Sequence, residues 1–255
     1  MAWALESGKK SGRFTLWMQS VVNVLLPPLC PGCRAQLTVQ GSLCGSCWQE
    51  IRFIDEPLCA VTGLPFAHNH GVGAVDPSAL AHPPPWRQAR SVMVYTPLVQ
   101  RLVGRFKYSG RHECVRAFGR WMARAGHDLL SDADYIVPVP LYVRRLRQRG
   151  FNQAVELARV ISRESGVELA VDMLERIRPT RSQIGLSVAA RHRNMVGAFA
   201  PSLGAEARIK GSAFVLVDDV LTSGATLASA TRALQRAGAG RVDVLTLARV
   251  ARGEG

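Results

Sequence analysis

The stretch Val215-Leu-Val-Asp218-Asp219-Val-Leu-Thr222-Ser223-Gly224-Ala225-Thr226 decides how the rest of the chain is read. The apolar run that begins at Phe214 has the length and texture of a buried strand, and two adjacent carboxylates fall at its carboxyl end. In open α/β sheets, ligands bind at that end of the strands. The hydroxyl-rich turn that follows leads directly into a helix predicted from about Ala225 to Ala237. The N–H groups of such a turn, its Thr and Ser hydroxyls and the positive end of the helix together form a cradle for an anion. Gly224 lets the backbone approach a phosphate closely. An acid pair beside this cradle suits a phosphorylated ribose, whose vicinal hydroxyls donate to Asp218 and Asp219 while its 5-phosphate occupies Thr222, Ser223, Gly224, Ala225 and Thr226. A capped helix with two surface acids is the alternative, and it leaves the coincidence of strand, acid pair and hydroxyl loop unexplained.

On either side of this motif, strands alternate with helices. Ser91–Tyr95, Tyr135–Val139 and Arg241–Leu247 read as strands; Leu98, Leu102 and Phe106 mark one helix, and Val115, Phe118, Met122 and Leu129 another. Asn152 can cap a helix whose apolar face is Ala154, Leu157, Ala158 and Ile161. This alternation predicts an α/β fold with a mostly parallel sheet covered on both faces. Before Arg87 the texture differs. Residues 66–86, rich in Gly, His and Pro and ending in Pro83-Pro84-Pro85, read as a semi-rigid linker. The predicted organisation is a tail and amphipathic helix over 1–26, a cysteine-bearing module and linker over 27–86, and the α/β domain over 87–255. No internal repeat is evident.

Five of the six cysteines precede the linker. Cys30-x-x-Cys33 and Cys44-x-x-Cys47 form two knuckles that can share one tetrahedral ion, and four soft sulfurs favour zinc. With every position filled by protein, that zinc is structural. Cys59 stands apart: a third CxxC needs Cys where Thr62 stands, although His68, His70 and His82 offer imidazoles nearby. Paired thiols at this spacing fit a reducing compartment, so a cytoplasmic location is expected. The apolar stretch Phe14–Leu29 follows Lys9, Lys10 and Arg13, as in a signal peptide. Gln19, Ser20 and Asn23 interrupt it, Pro27-Pro28 ends it and no small-residue cleavage site follows. It is also shorter than a membrane span, so no transmembrane segment is predicted. Phe14, Trp17, Val21, Val24 and Leu25 recur at helical spacing.

The 255 residues carry 32 Lys+Arg against 19 Asp+Glu, a net charge of +13, with 47% hydrophobic residues. This composition excludes intrinsic disorder and collagen-like structure. The cations are nearly all Arg, which binds phosphate bidentately and stacks on bases, so the excess favours anionic partners. A solvated Arg-rich surface is the alternative.

The acid-pair motif resembles the phosphoribosyl pyrophosphate (PRPP) motif of type I phosphoribosyltransferases. Phe106-Lys107-Tyr-Ser-Gly110, Val137-Pro-Val-Pro140, Arg149-Gly-Phe-Asn152-Gln153 and Arg181-x-Gln183-x-x-Leu186…Asn194…Phe199 narrow the resemblance to the ComF family of competence-related proteins, from about Val24 to Arg249. The resemblance implies a type I phosphoribosyltransferase-like domain with a hood, preceded by a zinc ribbon. It implies that Asp218 and Asp219 hold the ribose hydroxyls, that Thr222–Thr226 hold the 5-phosphate, and that Lys107 and the loop after Pro140 face pyrophosphate. It further implies that residues 179–199 form the mobile hood or lid. The family ribbon often has a further Cys pairing where this chain has Cys59 and Thr62, so a second zinc site is expected to be lost.

The chemistry implied is displacement of pyrophosphate from ribose C1, with magnesium bridging pyrophosphate and ribose oxygens. Lys107 and Arg149 are the leading cations for the departing charge, ahead of Arg144 and Arg145. The family's link to competence and the +13 charge also fit a non-catalytic accessory that binds single-stranded DNA, stacking bases on Trp86 or Trp121, alongside DNA-uptake or recombination proteins.

Overall fold

The computed structural model describes residues 28–39, 41–108, 114–180 and 187–251. The predicted tail and amphipathic helix over 1–26 lie outside the described residues, as do Arg181, Gln183 and Leu186. The strands are β1 (Ala89–Val94), β2 (Tyr135–Pro138), β3 (Glu168–Leu169), β4 (Leu174–Arg176), β5 (Phe199–Pro201), β6 (Ala213–Leu221) and β7 (Arg241–Arg249). The main sheet has the order β1-β7-β6-β2-β3, and every pair in it is parallel. β4 and β5 form a separate antiparallel pair, the hood.

The helices that matter for the sheet are α1 (Gly45–Gln49), α2 (Pro77–Ala81), α3 (Pro97–Tyr108), α4 (Val115–Ala125), α5 (His127–Leu130), α6 (Val143–Arg149), α7 (Gln153–Ser165), α8 (Val188–Met195), α9 (Glu206–Ile209) and α10 (Ala225–Arg236). β6 reads as a continuous apolar run because both its faces are covered. Val215 and Val217 pack with Leu102, Phe118, Leu157 and Ile161 of α3, α4 and α7. Phe214 and Leu216, on the opposite face, pack with Leu227 and Leu234 of α10 and with Phe199 of the hood. Asn152 caps α7 as predicted, accepting from Ala154 N–H at 3.0 Å, and its Nδ2 donates to the Val139 carbonyl at 3.0 Å. That second bond ties the start of α7 to the end of β2. Among the described residues, no helix is long and apolar enough to cross a membrane.

The cysteine-bearing module packs into the sheet edge. Ile54 N–H donates to the Val92 carbonyl, Val94 N–H donates to the Arg52 carbonyl, and Phe53 bridges Met93 antiparallel. Residues 52–54 thereby cover the edge of β1 that would otherwise present unpaired amides. Cys30, Cys47 and Ile51 share one buried cluster with Met93 and Leu98.

The module also contains a repeat that the sequence did not reveal. In the first half Cys30 N–H donates to the Ala35 carbonyl, Arg34 N–H donates to the Cys30 carbonyl, and Arg34 has φ 68°. In the second half Cys59 N–H donates to Leu64, Gly63 N–H donates to Cys59, and Gly63 has φ 64°. Leu29–Gln36 and Leu58–Pro65 form matching bridges. Cys44 precedes α1 and Asp76 precedes α2, and the N–H of each points at a knuckle sulfur, Cys30 Sγ and Cys59 Sγ respectively. The match sets Cys59, Thr62, Asp76 and Ala79 where the first half has Cys30, Cys33, Cys44 and Cys47, so residues 66–81, expected as linker, belong to the folded second half of the module. Only one of these four positions holds a cysteine, which is why cysteine spacing alone hid the repeat.

Where the linker meets the sheet, the Asp243 carboxylate of β7 is fully buried. It accepts from Arg87 Nε at 3.0 Å, Arg87 Nη2 at 2.8 Å and Gln88 N–H at 3.0 Å, and Arg241 Nε lies 3.3 Å from it. Removing a partner leaves a buried charge short of compensation. Arg87→Ala is expected to lower the unfolding free energy by about 2–4 kcal/mol. Urea denaturation reads this directly, and a loss below about 0.5 kcal/mol, the scale of a neutral surface change, would contradict it.

Candidate metal centre and ligand pocket

The four ligand atoms of Cys30, Cys33, Cys44 and Cys47 lie within 4.8 Å of one another, with Cys33 Sγ and Cys44 Sγ 3.4 Å apart. Backbone N–H groups already point at the sulfurs, Ala35 to Cys33 and Cys44 to Cys30, each at 3.4 Å. Burial raises the Cys30 thiol, but the N–H groups of Cys44, Cys33 and Gly32 outweigh it and hold it down at about 6. A preformed set of four converging sulfurs fits a structural zinc ion. Gly32 packs under the site: a Cβ there would lie 2.6 Å from Cys47 Sγ and 2.9 Å from Leu98 Cδ1.

The second half of the ribbon holds no comparable set. Among the described residues the four cysteines are the one group of His, Cys, Asp and Glu that converges in this way. Cys59 is buried with Leu64 and Ala79, its sulfur accepting N–H groups from Thr62 and Asp76. His68, His70 and His82 are exposed. Hydrogen bonds and a small apolar cluster hold this half where an ion holds the first.

At the carboxyl end of the sheet a cavity of about 460 Å³ gathers residues from both halves of the α/β domain. Asp218 and Asp219 come from the end of β6, and Thr222 and Thr226 from the loop and first turn of α10. Arg145, Gln148 and Arg149 come from α6, Asn152 and Gln153 from the start of α7, and Pro140 from the loop after β2. Asp219 N–H donates to Asp218 Oδ1 at 2.8 Å, which fixes the first carboxylate against the backbone.

The cradle itself has the features an anion needs. Gly224 caps α10 with φ 75°, a left-handed conformation that favours glycine, and no side chain caps this helix. Its leading N–H groups are therefore left for a ligand. Ser223 Oγ is buried without a hydrogen-bond partner, an unfilled polar group that a phosphate oxygen would satisfy. Trp86 packs behind the turn, where a Cβ on Gly224 would come within 2.9 Å of the indole.

The structure brings together Asp218, Asp219, Thr222, Thr226 and Arg149 of the predicted site. Ser223, Gly224 and Ala225 complete the turn into α10. Lys107 falls near the end of α3, and its side chain lies outside the described residues. Arg145 lines the cavity one helical turn from Arg149, whereas Arg144 and Arg147 are exposed. Trp86 is buried beneath the loop and presents no stacking face, a correction to its expected contact with bases. Arg176 of β4 and Arg191 of α8 also line the cavity, and sequence reading had not singled them out. Arg191 falls inside the predicted hood over 179–199 and Arg176 just before it, which is the sequence signal they carry.

A double zinc ribbon domain family matches residues 21–76, and a phosphoribosyl transferase domain family matches residues 148–255. The "DNA utilization protein YhgH" of Escherichia coli K12 is 35% identical over 231 residues, covering 88% of this chain and 98% of its own. "Competence protein F" of Haemophilus influenzae is 29% identical, covering 86% of this chain and 96% of its own. Among solved structures, the glutamine phosphoribosylpyrophosphate amidotransferase of B. subtilis matches with a TM-score of 0.38 and 20% identity, over 55% of this chain and 29% of its own.

The ribbon predicts a metal count. One zinc per chain is expected by elemental analysis of the purified protein. Cys44→Ser should lose it, while Cys59→Ser should retain it; two zinc ions per chain, or loss on replacing Cys59, would overturn the assignment.

Proposed function

We propose, on the premise that this chain belongs to the ComF family of competence-related proteins, that it is a PRPP-binding protein of the phosphoribosyltransferase type serving DNA uptake or handling in the cytoplasm. The observation that carries this reading is the meeting, in one cavity, of the Asp218-Asp219 pair, an uncapped helix start with an unsatisfied Ser223 hydroxyl, and the guanidinium groups of α6. Each part answers one part of a phosphorylated ribose. The loop takes the 5-phosphate, the acid pair accepts from the ribose hydroxyls, and Arg145 and Arg149 face the pyrophosphate.

Asp218 and Asp219 are hard oxygen donors that fit magnesium directly or through its waters, and the bound ion would neutralise charge on the pyrophosphate. The chain's own part in the reaction is positional and electrostatic. The cradle fixes one end of the ligand, and the α6 cations stabilise negative charge that grows on pyrophosphate as its bond to ribose C1 breaks. An acceptor atom then bonds to C1, and pyrophosphate leaves with the electron pair. Calorimetry with magnesium and PRPP tests the pocket. Asp218→Ala/Asp219→Ala is expected to weaken binding at least about tenfold, the scale of losing charge-assisted hydrogen bonds. Unchanged affinity would refute the assignment.

A second reading, single-stranded DNA binding, is favoured by a surface on the other side of the ribbon contact. Trp48, Phe53 and Trp121 form a triangle of rings with centroids 5.5–5.6 Å apart. Trp48 is 49% exposed and Phe53 36% exposed. Next to Trp121, Arg116, Arg120 and Arg124 recur one turn apart along α4, all exposed, and Arg120 also pairs with Glu164. Exposed rings beside a row of cations suit stacked bases and a phosphate backbone. Trp48→Ala is expected to weaken binding of a single-stranded oligonucleotide by about five- to a hundredfold, from the usual worth of one stacked base. Magnesium-PRPP affinity should stay unchanged. Fluorescence anisotropy at two salt concentrations reads this, and no binding even at low salt would end this reading.

A further inference from the structure

The cavity holds more positive charge than the PRPP reading places. Arg145 and Arg149 rise from α6, while Arg176 of β4 and Arg191 of α8 line the same cavity from the hood. Against these four guanidinium groups stand Asp218 and Asp219. The hood arginines are also poorly compensated. Arg176 lies over the Phe199 ring, 5.4 Å from its centroid, and one of its amino groups donates to Thr180 and contacts Met195 Sδ at 3.7 Å. Neither arginine pairs with a described carboxylate, and the Nε of each is buried without a hydrogen-bond partner. Burial, reinforced by the like charge of Arg145 and opposed by Asp218, pushes Arg176 down to about 10. A charge withdrawn from water this far without an opposite partner is costly, and such groups concentrate where a ligand supplies the missing charge.

We infer that the second ligand of this cavity, the one that meets ribose C1, is a small molecule carrying a carboxylate or phosphate that Arg176 and Arg191 recognise. The inference rests on the PRPP reading, because that reading assigns the ligand's own anionic ends to the Thr222–Thr226 loop and to α6. The hood cations then face the remaining space. A planar guanidinium fork binds a carboxylate or phosphate bidentately, which a neutral ring cannot match.

The full-length protein, loaded with magnesium and PRPP, is titrated calorimetrically with probes that differ in one anionic group: orotate and uracil, nicotinate and nicotinamide, phenyl phosphate and phenol. At least one anionic member should bind tenfold or more tighter than its neutral twin, and the three pairs separate carboxylate from phosphate. Arg176→Gln and Arg191→Gln, taken singly, should remove that preference while leaving PRPP affinity within twofold. Arg176→Lys should restore part of it by retaining the charge. Equal binding of the members in every pair, or no binding of any probe, would overturn the inference and leave the PRPP reading intact. Weaker PRPP binding in both Gln variants would overturn it by assigning these arginines to pyrophosphate. Failure of the wild type to bind magnesium-PRPP would overturn the pocket reading and this inference with it.

Discussion

The buried carboxylate of Asp243 fixes where the chain enters its α/β domain. A charge with no access to water must be met by donors, and here the donors are Arg87 and the N–H of Gln88 at the end of the proline-rich linker. Pinning residues 87 and 88 to β7 pins Trp86 beside them, and Trp86 in turn forms the floor beneath Gly224. The turn proposed to cradle an anion thus inherits its shape from an ion pair on the neighbouring strand. Gly224 is required twice over, for its left-handed backbone and for the indole that leaves no room for a side chain.

Much of this was legible from residue pattern. β6, the acid pair at its end and the helix from Ala225 stand where the sequence places them, because an unbroken apolar strand and a hydroxyl-Gly turn each carry a local signature. The α7 cap by Asn152 is equally local. The hidden features were nonlocal. Nothing near Asp243 shows that Arg87 will meet it, and Arg176 and Arg191 gain meaning only when the hood folds over the sheet. Trp86 and Trp121 look alike in the sequence, yet one is buried under a loop and the other joins a half-exposed ring cluster.

The ribbon shows how one backbone tolerates two kinds of interior. Its first half converges four sulfurs, whereas its second half keeps the same turn and N–H groups around a single buried thiol, with a hydroxyl, a carboxylate and a methyl group in the other places. Asp76 caps α2, accepting from Ser78 N–H, a role that Cys44 does not fill in α1. The two halves therefore share one pattern of backbone hydrogen bonds, although only the first converges four sulfurs. Arg249, from the last strand of the sheet, donates to the Thr62 carbonyl and so ties this half to the core.

The pairing of residues 52–54 with β1 gives the zinc centre a reach beyond its own turns. The metal-bearing half leads directly into the segment that occupies the sheet's outer amides, so ligand sulfurs and edge strand are held by one short length of chain. While residues 52–54 stay paired, the outer amides of β1 are closed to any other extended chain. The ribbon therefore does two things at once, gathering four sulfurs and screening a sheet edge that lies remote from the cavity.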